Sequence, residues 1–282
     1  MKIIESIIKN VFNEDIKDIE YIPLGLTNDN YKVVTNSFNK YIVRIPKKGN
    51  EKIFKYSNEE LVISALKNKD IDVQTLYYDN KSGIKITKYI ENSKVFNESS
   101  LAIEKKISMV AEKLREIHKT NINSLKFNAL EKLNVFKGKS LSLFPFEGTI
   151  IKNIENQYLK NNLVLCHNDL VNGNLLFDNK RLYIIDYEYA GMNNKMFDLA
   201  SFISENDITD EKTILDFLKY YYLDKFSDDI FEDLKIWYIF NDILWTYWAK
   251  YMLEKDGKEI FNKIYYQKLN RANNLYNLWF EK

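Results

Sequence analysis

The amino-acid sequence predicts an α+β fold in two parts, a small antiparallel-sheet part over residues 1–90 and a larger, mainly helical part over residues 91–282. Short strand-like runs divided by turn residues fill 21–45 and return near 73–78 and 84–90. After Glu91 the apolar spacing changes to long helical periods. The 282 residues are also enough for two folding units at the usual size of roughly 150 residues each.

Element by element, Ile3, Ile4, Ile7, Ile8, Val11 and Phe12 recur at helical spacing, which makes residues 2–12 an amphipathic helix able to lie on a sheet. From Tyr21 the pattern is strand, with a turn over 25–30, a second strand over 31–35 and a third over 40–45, an antiparallel meander. Ser57 or Asn58 offers a cap for a helix over 57–69, whose apolar positions include Leu61, Val62, Ala65 and Leu66. The strands near 73–78 and 84–90 complete the sheet. Residues 99–119 and 150–161 read as helices, and 124–148 mixes helix and loop signals. Two short apolar runs joined by polar turn chemistry make 163–186 a loop and hairpin. The remainder is helical, including the aromatic-rich segments 231–255 and 259–280, and no linker marks the junction expected near 88–93.

Composition narrows the functional classes. Hydrophobic residues make up 45% and charged residues 29%, the mixture of a globular chain. Forty-one Lys+Arg against 40 Asp+Glu leave a formal charge of +1, so neither nucleic acid nor an anionic membrane is an expected partner. No charge-free apolar run reaches the roughly 18 residues that a membrane-spanning helix needs. Glu5 and Lys9 interrupt the first apolar stretch and no small-residue cleavage site follows, so no cleaved signal peptide is expected. The single cysteine, Cys166, cannot form an intramolecular disulfide, which fits a reducing, cytoplasmic setting. Cys166 reads as a small buried hydrophobe and His118 as a packing residue near the base of the helical part.

Chemistry concentrates in His167-Asn-Asp169-Leu-Val-Asn-Gly-Asn174, followed by an apolar hairpin that ends in Ile185-Asp186. Phosphoryl transfer needs a carboxylate to orient the attacking hydroxyl and accept its proton, together with ligands for Mg²⁺. Asp169 can serve as the first, and the oxygens of Asn174 and Asp186 suit a hard cation that also holds phosphates. His167 reads as a scaffold residue of the loop. Isolated Asp residues also cap turns, and it is the joint spacing that distinguishes this set.

The order His167, Asp169, Asn174, Asp186 is the kinase pattern H-x-D-x-x-x-x-N with its later metal-binding Asp in an I-D setting instead of D-F-G. In that departure the chain resembles the small-molecule kinases of protein-kinase-like fold, the aminoglycoside phosphotransferases and the choline/ethanolamine kinases. The stretch from Ile185-Asp-Tyr-Glu188-Tyr189 through Asn193, Phe197-Asp198 and Glu205 is similar to the choline kinase signature at the same spacings. The resemblance implies a bilobal kinase fold with catalysis at the junction. It also implies that His167, Asp198 and Glu188 support the catalytic loop and that Glu205 faces the substrate's ammonium.

Trp245 and Trp248 lie one helical turn apart, an aromatic wall of the kind that holds a quaternary ammonium lacking N–H donors. Taken alone, such a pair on an apolar helix is more often core than ligand box, and it is the Glu205 match and the kinase loop that favour the box. Choline kinases show a similar W-x-x-W followed by Tyr, which implies a cation box of Trp245, Trp248 and Tyr266 beside Asp169 and Glu205.

On the nucleotide side, Gly25-Leu-Thr27-Asn28 resembles the G-x-[ST]-N loop of choline kinases, implying phosphate contacts from Thr27 and Asn28. Strand alternation turns Arg44 away from Val43 and Ile45. There it can hold phosphates with Glu59 as orienting partner, or be a surface arginine with a solvated glutamate. Lys88, Tyr89 and Ile90 would offer backbone hydrogen bonds to adenine. The expected activity is ATP-dependent choline phosphorylation with Mg²⁺, by a monomer or homodimer. The alternatives are an ethanolamine, aminoglycoside, thiamine or other amino-alcohol kinase, and a non-catalytic choline-binding pseudokinase. The intact Asp169, Asn174 and Asp186 set speaks against the last.

Overall fold

The chain runs α1 (Lys2–Phe12), β1 (Ile16–Ile22), β2 (Asn28–Thr35), β3 (Lys40–Pro46), α2 (Tyr56–Leu66), β4 (Thr75–Tyr78), β5 (Lys85–Lys88), β6 (Lys94–Val95), α3 (Ile103–His118), α4 (Ala129–Lys137) and α5 (Glu147–Lys160). It continues through β7 (Val164–Cys166), β8 (Leu175–Phe177), β9 (Leu182–Ile184), β10 (Gly191–Asn193), α6 (Lys195–Glu205), α7 (Glu211–Tyr222), α8 (Asp228–Asp256) and α9 (Glu259–Phe280). The structure is a computed structural model and describes every residue except Met1, Leu24, Asn50, Lys52, Ile53, Asn123, Ser124, Asn161 and Lys282. Ser124 in the mixed segment and Asn161 at the end of the expected helix therefore lie outside the described residues.

Two compact units form, Met1–Leu101 with Asn172–Ala190, and Ala102–Val171 with Gly191–Lys282. This division differs from a single cut at residue 90. Residues 91–101 and the β8–β9 hairpin join the first unit because β6 pairs antiparallel with β8 and the Ile184 N–H donates to the Ile71 carbonyl at 2.9 Å.

The first unit carries a five-stranded antiparallel sheet in the order β1-β2-β3-β5-β4. One face buries Val33, Tyr41, Val43 and Ile86 under Ile4 and Ile8 of α1. Burial of each such aliphatic side chain stabilises the unit by about 1.5–3 kcal/mol. Strand β1 starts at Ile16, five residues ahead of the expected Tyr21; a bulge between Ile16 and Asp18 breaks the alternation that would have revealed it. The expected Ser57 or Asn58 cap is also corrected: α2 begins at Tyr56, and its N-cap, Lys55, makes no side-chain cap bond. Glu59 is thereby placed in the buried first turn.

In the second unit α8 is apolar around much of its circumference, as a central helix must be. Trp237, Tyr238, Phe240, Ile243, Leu244 and Tyr247 are all buried. Helix α6 packs on it, with Phe197 edge-on to Trp237 and Phe240. The mixed segment resolves into α4, capped by the Asn128 side chain accepting the Glu131 N–H at 3.1 Å, then loop. Strand β10 lies past residue 186, where the sequence reading expected helix; it pairs antiparallel with β7 instead.

Gly83 closes the β4–β5 turn at φ +73°, and a Cβ there would stand 2.6 Å from the Tyr56 ring. Gly83→Ala is expected to destabilise the protein by about 1–3 kcal/mol. Gly148→Ala, in α5 with open space around it, is expected to be neutral or to stabilise by up to about 1 kcal/mol. Urea unfolding of the two variants measures the contrast.

Candidate active site

In the first unit, antiparallel pairing of Leu175 with Ile184 sets Asn174 and Asp186 at the same end of the β8–β9 hairpin, and the Ile185 N–H closes that end on the Asn174 carbonyl at 3.0 Å. Asp186 has φ +68°, a turn that Asp tolerates better than most side chains. Its Oδ1 accepts from Arg44 Nη1 at 2.8 Å. Arg44 is buried on β3 and also donates to both oxygens of Glu59, at 2.8 and 2.6 Å, so the surface-arginine alternative does not hold. Tyr78 Oη donates to Glu59 at 3.1 Å and Lys85 Nζ stands 3.7 Å from it. Burial opposes both charges of the pair; Glu59 and Asp186 nonetheless hold the Arg44 guanidinium well above its ordinary pKa, and Arg44 holds Glu59 below the usual carboxylate value.

Glu188 corrects one expectation. Instead of bracing the catalytic loop, it accepts from Thr27 Oγ1 at 2.8 Å and Asn28 Nδ2 at 3.1 Å, the two residues that the resemblance assigns to phosphate. Burial and the neighbouring Asp186 charge push Glu188 well above the usual carboxylate range. The oxygen donors of Asn174 and Asp186, brought to the same end of the β8–β9 hairpin, fit a hard divalent cation. Arg44 Nε and Asn28 Oδ1 are buried without a hydrogen-bond partner among the described residues, polar groups available to a ligand. The Lys88 and Tyr89 amides are already engaged, donating to the Gln74 and Lys40 carbonyls at 3.0 and 3.2 Å, so an adenine contact from this segment falls to other groups.

In the second unit, β7 delivers the chain into the loop His167-Asn168-Asp169-Leu170, with Asn168 at φ +66°. Asp198, fully buried in the first turn of α6, holds the loop from beneath. Its Oδ2 accepts the His167 N–H and its Oδ1 the Asn168 N–H, both at 2.7 Å. His118 Nε2 meets the same carboxylate at 3.0 Å and its Nδ1 meets Tyr221 Oη at 2.6 Å, so His118 does more than the packing expected of it. His167 Nδ1 accepts the Asp169 N–H at 3.3 Å, a scaffold contact. The Asn168 side chain is clamped by Asn193, whose Nδ2 donates to its Oδ1 at 2.8 Å. Beyond Asp169, the Leu170 N–H donates to Ser201 Oγ at 3.2 Å and its carbonyl accepts from Asn206 Nδ2 at 2.8 Å. The backbone is thus fixed on both sides of Asp169, which is half-buried between buried neighbours. Cys166 is fully buried, and burial followed by the Asp198 charge pushes its thiol well up, as suits an inert residue.

Asn206 follows Glu205, so the loop lies directly beside the end of α6 that carries this carboxylate. Glu205 Oε1 accepts from Lys268 Nζ of α9 at 2.6 Å, and Lys268 also stands 3.6 Å from Asp242 on α8. Arg271 grips both oxygens of Asp242 at 2.7 and 2.6 Å and reaches Asp207. Burial alone would lower the Arg271 pKa, but its hydrogen bonds and charge pairing with Asp242 raise it above the ordinary value. One turn beyond Asp242, Trp245 meets Trp248 edge-on at 5.9 Å. The α9 ring against Trp248 is Phe261, at 5.6 Å, while Tyr266 is exposed and its ring lies against Tyr265. Ser201, Asn206, Asp242, Phe261, Lys268 and Arg271 were absent from the sequence-derived set.

The model of the choline/ethanolamine kinase family matches residues 19–273. The chain belongs to that family. Protein LicA of Haemophilus influenzae is 28% identical over 267 residues, covering 88% of this chain and 97% of that one. The crystal structure of choline kinase LicA from Streptococcus pneumoniae superposes with a TM-score of 0.80 at 26% identity, over 99% of each chain. A spectinomycin phosphotransferase bound to ADP and spectinomycin shares the fold, with a TM-score of 0.66 at 16% identity over 97% of this chain and 98% of that one. No helix among the described residues is long and apolar enough to cross a membrane.

Asp198→Asn keeps the shape of the anchor but replaces one acceptor with a donor facing a backbone N–H. It is expected to cost about 1–3 kcal/mol in urea unfolding. ADP release should fall by at least about tenfold as the loop loosens. Wild-type stability and turnover would show that the anchor is dispensable.

Proposed function

We propose that this chain is an ATP-dependent choline kinase, transferring the γ-phosphoryl group of ATP to the choline hydroxyl to yield phosphocholine and ADP. The observation that carries this reading is the short physical link from Leu170, through Asn206 and Glu205, to Lys268, Asp242 and the Trp245–Trp248 pair. The link runs from the backbone next to Asp169 to acidic and aromatic groups suited to a cation, which supports the reading. The likeness to a choline kinase over 99% of both chains supports the same substrate.

Asp169 orients the choline hydroxyl and accepts its proton as the oxygen attacks phosphorus. Asn174 and Asp186 would hold Mg²⁺, which when bound neutralises charge on the phosphates. Arg44, oriented by Glu59, and the Thr27–Asn28 pair tied to Glu188 hold phosphate oxygens. Lys88 to Ile90 border the adenine. Trp245 and Trp248 offer ring faces to the trimethylammonium, with Glu205 supplying nearby negative charge and Tyr266 bordering the outer side. A single buried cysteine fits a reducing cytoplasmic setting.

ADP release with Mg-ATP across choline, ethanolamine, thiamine and kanamycin tests the assignment, with choline expected to give the highest kcat/KM. Asp169→Ala is expected to lower choline turnover by about 10²–10⁴-fold while ATP binding persists; a near-normal rate would reject its role. Trp245→Ala should raise the KM for choline by about ten- to thirtyfold, the worth of a desolvated cation–π contact, and that for ATP by less than about twofold. Equal effects on both would make Trp245 a core residue.

A further inference from the structure

Glu205 is the carboxylate assigned above to the substrate's ammonium, yet it already holds an ammonium of the protein itself. Lys268 Nζ stands 2.6 Å from its Oε1, and Lys268 is 5% exposed, so water does not dilute the pairing. The other anion near Lys268, Asp242, is more distant at 3.6 Å and is gripped through both oxygens by Arg271. Glu205 is therefore the principal partner of a buried cation.

We propose that Lys268 is a specificity-determining residue that favours a quaternary ammonium over a primary one; this rests on the reading of Glu205 and the Trp245–Trp248 pair as parts of the cation site. A primary ammonium carries three N–H donors and, once desolvated, needs acceptors for them. Lys268 occupies the Glu205 oxygen that would serve and sets a like charge beside it, a repulsive element of the kind that specific sites use against a competitor. A trimethylammonium has no N–H to satisfy, and its methyl groups hold its charge farther from Lys268. It needs ring faces and a diffuse negative field, which Glu205, Asp242 and Asp207 supply as three carboxylates against the two cations Lys268 and Arg271.

The test measures kcat/KM for choline and ethanolamine with Mg-ATP on the full chain, for wild type, Lys268→Met and the double variant Lys268→Met/Glu205→Gln. In Lys268→Met the ethanolamine-to-choline ratio is expected to rise by at least about tenfold, chiefly through a lower KM for ethanolamine. In the double variant, which no longer has a freed carboxylate, the ratio should return to within about threefold of wild type. A merely structural lysine would change both substrates together and leave the ratio alone. An unmoved ratio in the single variant, or a ratio that stays raised in the double, overturns the proposal. If Lys268→Met does not fold, Lys268→Ala, which likewise frees the Glu205 oxygen, is read in the same way. A wild-type chain that phosphorylates neither alcohol removes the choline kinase reading itself, and the proposal with it.

Discussion

The Asp198 carboxylate sits at zero exposure in the first turn of α6 and receives two backbone N–H groups of the catalytic loop at 2.7 Å and an imidazole nitrogen at 3.0 Å. A carboxylate taken out of water costs several kcal/mol unless donors replace the lost hydration, and here the donors are the loop itself. The two are mutually dependent. Asn168 at φ +66° holds that conformation because its N–H ends on Asp198 and its side chain is clamped by Asn193. The half-buried Asp169 is carried on a backbone with no slack, which is what positioning catalysis requires, since a misplacement of about 1 Å can cost a hundredfold in rate.

The sheet unit is built on the same logic with opposite charge. Arg44, buried on β3, is balanced by Glu59 and Asp186, and Glu188 fastens the Thr27–Asn28 turn. Buried ion networks of this kind add little net stability compared with apolar packing; their value lies in fixing one arrangement. Each polar cluster therefore holds chemistry in place, while stability comes from the apolar layers, Ile4 and Ile8 on the sheet and the aromatic flank of α8.

The legible parts of the sequence were those whose meaning is local. His167, Asp169, Asn174, Asp186 and Asp198 stand at fixed spacings within one short stretch, and the helices and most strands announce themselves by period. What was not legible is carried by contacts between residues far apart in the chain. Lys268 lies 63 residues from Glu205, and Arg271 lies 29 from Asp242. On a helix written IYYQKLNRANN each basic residue reads as part of a solvated face. Glu188 could not be joined to Thr27 across 161 residues by pattern alone. Strand β1 was hidden by its bulge, and His118 looked like packing because its partners, Asp198 and Tyr221, come from other helices. Tyr266 satisfies the family spacing, yet Phe261 is the α9 ring that meets Trp248, a difference of helix face that a spacing rule does not resolve.

The central claim is chemical: the terminal phosphoryl group of ATP moves to the oxygen of an alcohol-bearing quaternary cation. ³¹P NMR of the full chain with Mg-ATP and choline reads that transfer at the product. One new phosphomonoester resonance is expected, coupled to methylene protons and growing in step with ADP. ADP accumulating with inorganic phosphate alone, or ATP persisting unchanged, would contradict it.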